Sequence, residues 1–280
     1  MDEWERWLAV DRFRGSTTEE VHAGIAFIAA VRERLLQEAA VGPGDVVLEI
    51  GCGAGEFLPR LLAVVGATGQ VLALDHSPGL CAQAEAALSG HPARARLRVD
   101  QGDMRRLPYP DASVDVVLCR SVLQYAEDGL PAVAEEIARV LRPGGRMAAF
   151  EVLPGDGTPL LPVPRGEGQR LAHAEATARW AGLPYALSRA ALAAAFGPPL
   201  FRPSTIFASV TEWQQPYARE AFATILDQVP RPGCPPLADL YTRGLSPELR
   251  QGWEALLADA TDQAQRGAWA YLSARRSVAG

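Results

Sequence analysis

The sequence predicts a doubly wound α/β fold with a mostly parallel sheet of seven strands and an antiparallel edge. Three observations predict it: short apolar runs alternate with amphipathic helical stretches, a glycine-rich turn follows the first run, and a closing pair of runs, with enough chain between them for a helical lid, suits an antiparallel edge.

Element by element, Thr17 to Ala40 carries Val21, Ile25, Ile28, Val31, Leu35 and Leu36 at helical spacing and stops at Gly42-Pro43-Gly44. Val46 to Ile50 reads as a strand that enters Gly51-Cys52-Gly53-Ala54-Gly55, followed by a helix from Phe57 to Val65. The alternation goes on through strand Val71 to Leu74, helix Gly79 to Leu88, strand Leu97 to Val99, strand Val114 to Cys119, helix Pro131 to Leu141 and strand Met147 to Val152. Arg94, Arg96 and Arg98 alternate with apolar residues at the period of a half-exposed strand.

Proline and glycine crowd Leu153 to Arg170, which predicts a long loop. Beyond it come helices near Ala172 to Ala181 and Ser188 to Phe196, a β-branched run from Ser204 to Thr211, a proline-rich break at Val229 to Pro236, a helix from Pro247 to Arg266 and a strand from Ala268 to Ala274. The expected organisation is one domain over 1–280. It divides into an N-terminal helical extension (1–40), a core (41–152), loop and helical lid insertions around the sixth strand (153–267), and the final strand and tail (268–280).

A hydrophobic share of 48% over 280 residues supports a sizeable core. Apolar runs such as Ile25 to Val31 fall far short of the roughly 20 residues of a membrane span, and the charged start Met1-Asp2-Glu3-Trp4-Glu5-Arg6 lacks the order of a signal peptide. No membrane association and a cytoplasmic location are expected. A net charge of −6 argues against a broad nucleic-acid surface and favours small molecules. All 27 basic residues are arginine, which excludes lysine Schiff-base and Walker chemistry. Cys52, Cys81, Cys119 and Cys234 show no CxxC spacing, so neither a metal nor a disulfide framework is expected.

Glycines at a strand-to-helix turn let the backbone come close to a ligand. A dinucleotide site prefers GxGxxG, yet Glu56 stands where the third glycine belongs, and Glu49 precedes the loop. A carboxylate there repels a pyrophosphate and suits an ammonium group, which points to a zwitterionic cofactor. Asp75, ending the second strand, is placed to accept ribose hydroxyls. Asp103, after the third strand, is placed to accept from an adenine amino group while Met104 packs on the ring.

These blocks, Val47-Leu48-Glu49-Ile50-Gly51-Cys52-Gly53-Ala54-Gly55, Asp75, Gly102-Asp103-Met104-x-x-Leu107-Pro108, Asp115-Val116-Val117 and Leu141-Arg142-Pro143-Gly144-Gly145, together resemble the class I S-adenosylmethionine-dependent methyltransferases. The subgroup they resemble most is that of the ubiquinone and menaquinone biosynthesis enzymes and their small-molecule relatives. The resemblance covers roughly residues 40 to 152 and implies a Rossmann-like fold. It also implies S-adenosylmethionine as cofactor and S-adenosylhomocysteine as product. By it, Glu49, Gly51 and Gly53 line the methionine portion, Asp75 takes the ribose, Asp103 and Met104 take the adenine, and Cys119 and Arg120 lie beside the cofactor, with Cys52, Gly55 and His76 also counted among the cofactor-binding residues.

The implied activity is O- or C-methylation of a small molecule, such as a specialised metabolite or quinone-like compound, by a monomer or homodimer. The alternative is a protein that binds S-adenosylmethionine for a cyclisation or decarboxylation without methyl transfer. The Asn/Asp-Pro-Pro-Tyr/Phe segment of amino-nitrogen methylating relatives is missing, since Cys119-Arg120-Ser121-Val122-Leu123-Gln124-Tyr125 stands in its place. Candidate bases for a hydroxyl acceptor are His22, His173 and Glu151. Trp4, Trp7, Phe13, Tyr125 and Tyr217 are candidates to wall an apolar acceptor pocket.

Overall fold

The computed structural model describes residues 1–10, 18–159, 161–183, 186–216, 226–227, 229, 231–259 and 262–278, with side chains described outside 18–25, 127, 211–216 and 263–266. Among the described residues the strands are β1 (Val46–Ile50), β2 (Gln70–Asp75), β3 (Leu97–Gln101), β4 (Val114–Arg120), β5 (Leu141–Val152), β6 (Leu161–Pro162), β7 (Thr205–Pro216) and β8 (Asp262–Arg275). The helices are α1 (Glu3–Ala9), α2 (Thr18–Glu38), α3 (Leu58–Val65), α4 (Pro78–Ala87), α5 (Leu130–Val140), α6 (Glu167–Ala181), α7 (Arg189–Ala195), α8 (Leu237–Thr242) and α9 (Pro247–Ala258).

The sheet runs β3-β2-β1-β4-β5-β8, with β7 on the far side of β8. Strands β1 to β5 pair in parallel, and β8 is antiparallel to both β5 and β7. These are the seven expected strands. The eighth, β6, is two residues long and pairs with the start of β8.

Alternate side chains of the parallel strands feed two cores, as burial on both faces demands. Leu48, Ile50, Leu72, Leu74, Val117 and Cys119 pack with Val133 and Ile137 of α5 and Leu192 of α7. Val47, Val71, Ala73, Val116 and Leu118 pack with Val31 and Leu35 of α2 and Leu58, Leu61 and Leu62 of α3. A leucine as fully enclosed as Leu61 contributes about 2 to 3 kcal/mol of apolar burial. Helices α6, α8 and α9 share a smaller core of their own around Tyr241 and Trp253.

The structure corrects three expectations. Arg94–Arg96 form a 3-10 turn, and the strand starts only at Leu97. The side chains there serve backbone carbonyls instead, with Arg94 Nη1 donating to Leu97 O at 2.7 Å and Arg96 Nη1 to Gly66 O. The stretch Leu153 to Arg170 is not all loop, because it contains β6 and the first turn of α6. The helix from Pro247 ends at Ala258 rather than Arg266, and β8 begins at Asp262 rather than Ala268. A twelve-pair ladder with β7 captures residues 262–267, overriding their helical composition. Among the described residues no helix is long and apolar enough to cross a membrane.

Candidate active site

The strand order reverses direction between β1 and β4, which opens a crevice beyond the carboxyl ends of the strands. A cavity of about 550 Å³ lies there, within the roughly 300 to 1,000 Å³ of small-molecule sites. Ile50, Gly51, Gly53, Leu74, Asp75, His76, Leu80, Gly102, Asp103, Met104 and Arg105 line it from the stretch between β1 and the turn after β3. Trp4, Trp7, Leu8, Ile28, Arg120, Ser121, Val122, Gln124, Tyr125, Val152 and Arg231 line it from the rest of the chain.

The glycine loop folds through left-handed backbone at Gly51 (φ 76°), Gly53 (φ 57°) and Gly55 (φ 83°). Their roles differ. A Cβ at Gly51 would stand 2.7 Å from Val122 Cγ2, and one at Gly55 2.9 Å from Ala84 Cβ, so both glycines permit close packing. A Cβ at Gly53 would meet nothing within 4 Å; at this residue the loop opens onto the cavity.

Asp75 ties the loop to β2. Its Oδ2 accepts the Gly53 N–H at 2.8 Å and its Oδ1 accepts the Ser77 N–H at 3.0 Å, leaving lone pairs on both oxygens for a ligand. Burial raises its carboxyl above the ordinary value, and the N–H groups of Ser77 and Gly53 oppose that rise. Asp103 lines the cavity with both oxygens gripped by Arg105, whose Nη2 lies 2.7 Å from Oδ2. The guanidinium holds that carboxyl below its usual range. This grip, two residues along the chain, has no signature in the sequence.

Glu49, Cys52, Gly55 and Cys119 do not line the cavity. Glu49 is sealed behind the loop at 3% exposure, with Oε2 lacking a hydrogen-bond partner. Burial pushes its carboxyl up to about 8 against the pull of Arg120 and Arg32. The thiols of Cys52 and Cys119 are buried and driven well above their ordinary value by desolvation, which fits packing rather than reactivity.

Of the candidate bases, Glu151 is fully buried and lines nothing, so its part as a base in contact with an acceptor is not supported. His173 lies on α6, outside the cavity lining, with burial lowering its imidazole. His22 belongs to α2, but its side chain lies outside the described residues, as do Phe13 and Tyr217.

Trp4, Trp7 and Tyr125 do converge, in edge-to-face pairs with centroids 5.0 to 6.2 Å apart. Helix α1 is brought over the cavity by Asp2. This residue caps α1 through Glu5 N at 2.9 Å and accepts from Ser77 Oγ at the start of α4 at 2.5 Å. Trp7 Nε1 donates to Val229 O at 2.7 Å, tying α1 to the late part of the chain. Sequence reasoning missed Leu8, Ile28, Ile50, Leu74, Leu80, Gly102, Arg105, Ser121, Val122, Gln124, Val152 and Arg231 as lining residues. Ser121, Val122 and Gln124 had one positional signal, since they follow a parallel strand at the switch point.

Residues 47–145 match a family model described as a methyltransferase domain. Over 120 residues the chain is 32% identical to the demethylmenaquinone methyltransferase of Lactobacillus johnsonii, covering 43% of this chain and 49% of that protein. It is 37% identical over 123 residues to the malonyl-[acyl-carrier protein] O-methyltransferase of Serratia marcescens, covering 44% of each. It is 36% identical over 119 residues to the 2-phytyl-1,4-naphtoquinone methyltransferase of Synechococcus elongatus, covering 41% of this chain and 48% of that protein. The match thus spans less than half the length of each of these relatives.

Among solved structures, the YcgJ protein from Bacillus subtilis superimposes with a TM-score of 0.54 at 15% identity, covering 89% of this chain and 98% of that one. The geranyl diphosphate C-methyltransferase from Streptomyces coelicolor A3(2) does so with a TM-score of 0.52 at 16% identity, covering 89% and 77%. These two likenesses bear on the fold. Residues 47–145 are thus similar to a methyltransferase domain, and the relatives that share this stretch are methyltransferases by name.

Proposed function

We propose that the chain transfers a methyl group from S-adenosylmethionine to a small-molecule acceptor with an apolar, flat face. The observation that carries this reading is the mixed lining of one cavity: residues 50–105 supply glycine backbone and the acids Asp75 and Asp103, while Trp4, Trp7 and Tyr125 supply an aromatic cluster. We assign the first set to the cofactor, as the cofactor half, and the second to the acceptor, as the acceptor half. The first half suits an adenosyl ligand: Gly53 leaves room where a side chain would stand, and Asp75 keeps acceptor capacity for paired hydroxyls. Glu49 does not line the cavity, but its buried Oε2 lacks a hydrogen-bond partner, a need that a cationic group would meet.

When bound, S-adenosylmethionine supplies a methyl group on a sulfonium leaving group. The residues of this chain then hold the acceptor in line, exclude water beneath α1 and orient the ring against the aromatic wall. No carboxylate lines the acceptor half among the described residues. Orientation therefore carries the rate, and an acceptor that ionises readily or has a nucleophilic carbon is favoured. The three relatives named above are methyltransferases by name, which supports the class of reaction but not a particular acceptor.

The test is incubation of the purified protein with S-adenosylmethionine and a panel of phenols, naphthols and quinols, with S-adenosylhomocysteine quantified by mass spectrometry. Acceptor-dependent release of S-adenosylhomocysteine is expected. Adenosyl ligand binding without that product across the panel would count against transfer.

A further inference from the structure

Segment 121–125, which contributes Ser121, Val122, Gln124 and Tyr125 to the cavity lining, is held in an unusual shape. Ser121 has φ 52° without being glycine, a left-handed conformation that persists only where neighbours over-determine it. Its N–H donates to Phe150 O at 2.8 Å. The next two N–H groups, of Val122 and Leu123, both donate to Glu151 Oε1 at 3.0 Å. Tyr125 N closes the turn on Val122 O at 3.0 Å. Glu151 itself is 0% exposed near the end of β5, pairs with Ala270 of β8, and does not line the cavity. Two of the residues fixed by this turn, Gln124 and Tyr125, line the cavity.

We propose that Glu151 is a positioning residue for methyl transfer: its buried carboxyl group clamps the backbone N–H groups of Val122 and Leu123 and so sets where Gln124 and Tyr125 meet the acceptor. This rests on the acceptor-side reading above. A buried acid is a costly way to accept two backbone bonds, and its other oxygen, Oε2, has no partner. Burial raises its carboxyl to about 7, opposed by the N–H groups of Leu123, Val122 and Gln124 and by Arg120 of β4. The other titratable group it acts on is the Cys119 thiol of β4. The requirement is hydrogen-bond acceptance at a fixed point, which an amide oxygen also satisfies.

The experiment uses the full chain saturated with S-adenosylhomocysteine, with 2-naphthol as the acceptor-side probe, read by quenching of tryptophan fluorescence. Glu151→Ala should weaken 2-naphthol binding at least tenfold while S-adenosylhomocysteine affinity stays within threefold. Glu151→Gln should restore 2-naphthol binding to within threefold of wild type. Unchanged 2-naphthol affinity in Glu151→Ala would overturn the clamp, and so would a Gln variant as impaired as Ala. Should Glu151→Ala not fold, Glu151→Asp, whose carboxyl group is one methylene shorter and withdraws from Val122 N and Leu123 N, should weaken 2-naphthol binding in its place, and unchanged affinity in that variant would overturn the clamp. If wild type bound no 2-naphthol, the acceptor-side reading itself would fall and the positioning role with it.

Discussion

Asp75 and Gly53 are joined by a 2.8 Å hydrogen bond from the glycine N–H to the aspartate Oδ2, so the end of β2 and the glycine loop after β1 form one unit. The residue that presents a carboxylate to the cavity is thus also the residue that shapes the loop facing it.

Replacing Asp75 by alanine removes both functions. Affinity for S-adenosylmethionine should fall by about 1 to 3 kcal/mol from lost hydrogen bonds to the ligand. The melting temperature should fall as well, because Gly53 N and Ser77 N lose their acceptor. Asp75→Asn, which keeps an acceptor for one N–H, should lose less stability than affinity. Titration calorimetry and thermal unfolding of both variants check this, and unaltered affinity in Asp75→Ala would remove Asp75 from the ligand site.

The three loop glycines should separate by mechanism. Gly53→Val meets only open cavity, so its folding cost is the strain at φ 57°, about 1 to 2 kcal/mol, while the ligand space is filled. Gly51→Ala must displace Val122 as well, so it should unfold at a lower temperature than Gly53→Ala. A Gly53→Val protein that binds S-adenosylmethionine normally would contradict the placement of the loop.

Stability without ligand should fall as pH rises. Glu49 goes from an ordinary 4.5 to about 8 on folding, and Glu151 to about 7. Both native forms hold their protons more tightly than the unfolded chain, so their contribution is complete below about pH 4.5 and is lost as pH passes through 7 to 8. Glu49→Gln should therefore melt at a temperature less dependent on pH between 5 and 9 than wild type. Parallel melting curves against pH would show that Glu49 carries no such proton.

The docking of α1 should be weak enough to measure by a single change. Asp2→Ala loses the cap on Glu5 N and the contact with Ser77 Oγ, and an N-cap is worth about 0.5 to 2 kcal/mol. The dissociation rate of S-adenosylhomocysteine, followed by stopped-flow tryptophan fluorescence, should rise several-fold while its association rate changes little. Identical dissociation rates would mean that α1 does not gate the cavity.

What the sequence made legible was local. Val46 to Gly55 announces strand, turn and helix within ten residues, and Asp75 and Asp103 follow from their places at strand ends. Contacts between distant residues left no such trace. Ser77 reaches back to Asp2, Glu151 reaches forward from β5 to the turn after β4, and Trp7 meets Val229. The start of β8 was illegible for a different reason: Asp262-Gln263-Ala264-Gln265-Arg266 has no β-branched or aromatic residue, and only the partner strand β7 makes it extended.

The cavity lining comes from different stretches of chain, 50–105 for one set and Trp4, Trp7, Leu8, Ile28, Arg120, Ser121, Val122, Gln124, Tyr125, Val152 and Arg231 for the other. Of the second set Val122 is the residue that packs against the glycine loop, at Gly51. Trp4, Trp7 and Tyr125 touch one another, so substitutions there act together and are chosen as a group, and on the acceptor reading they alter which molecules are accepted without removing a residue that shapes the loop. Such a scaffold can be retargeted by a small library at these few positions while its energy source stays fixed.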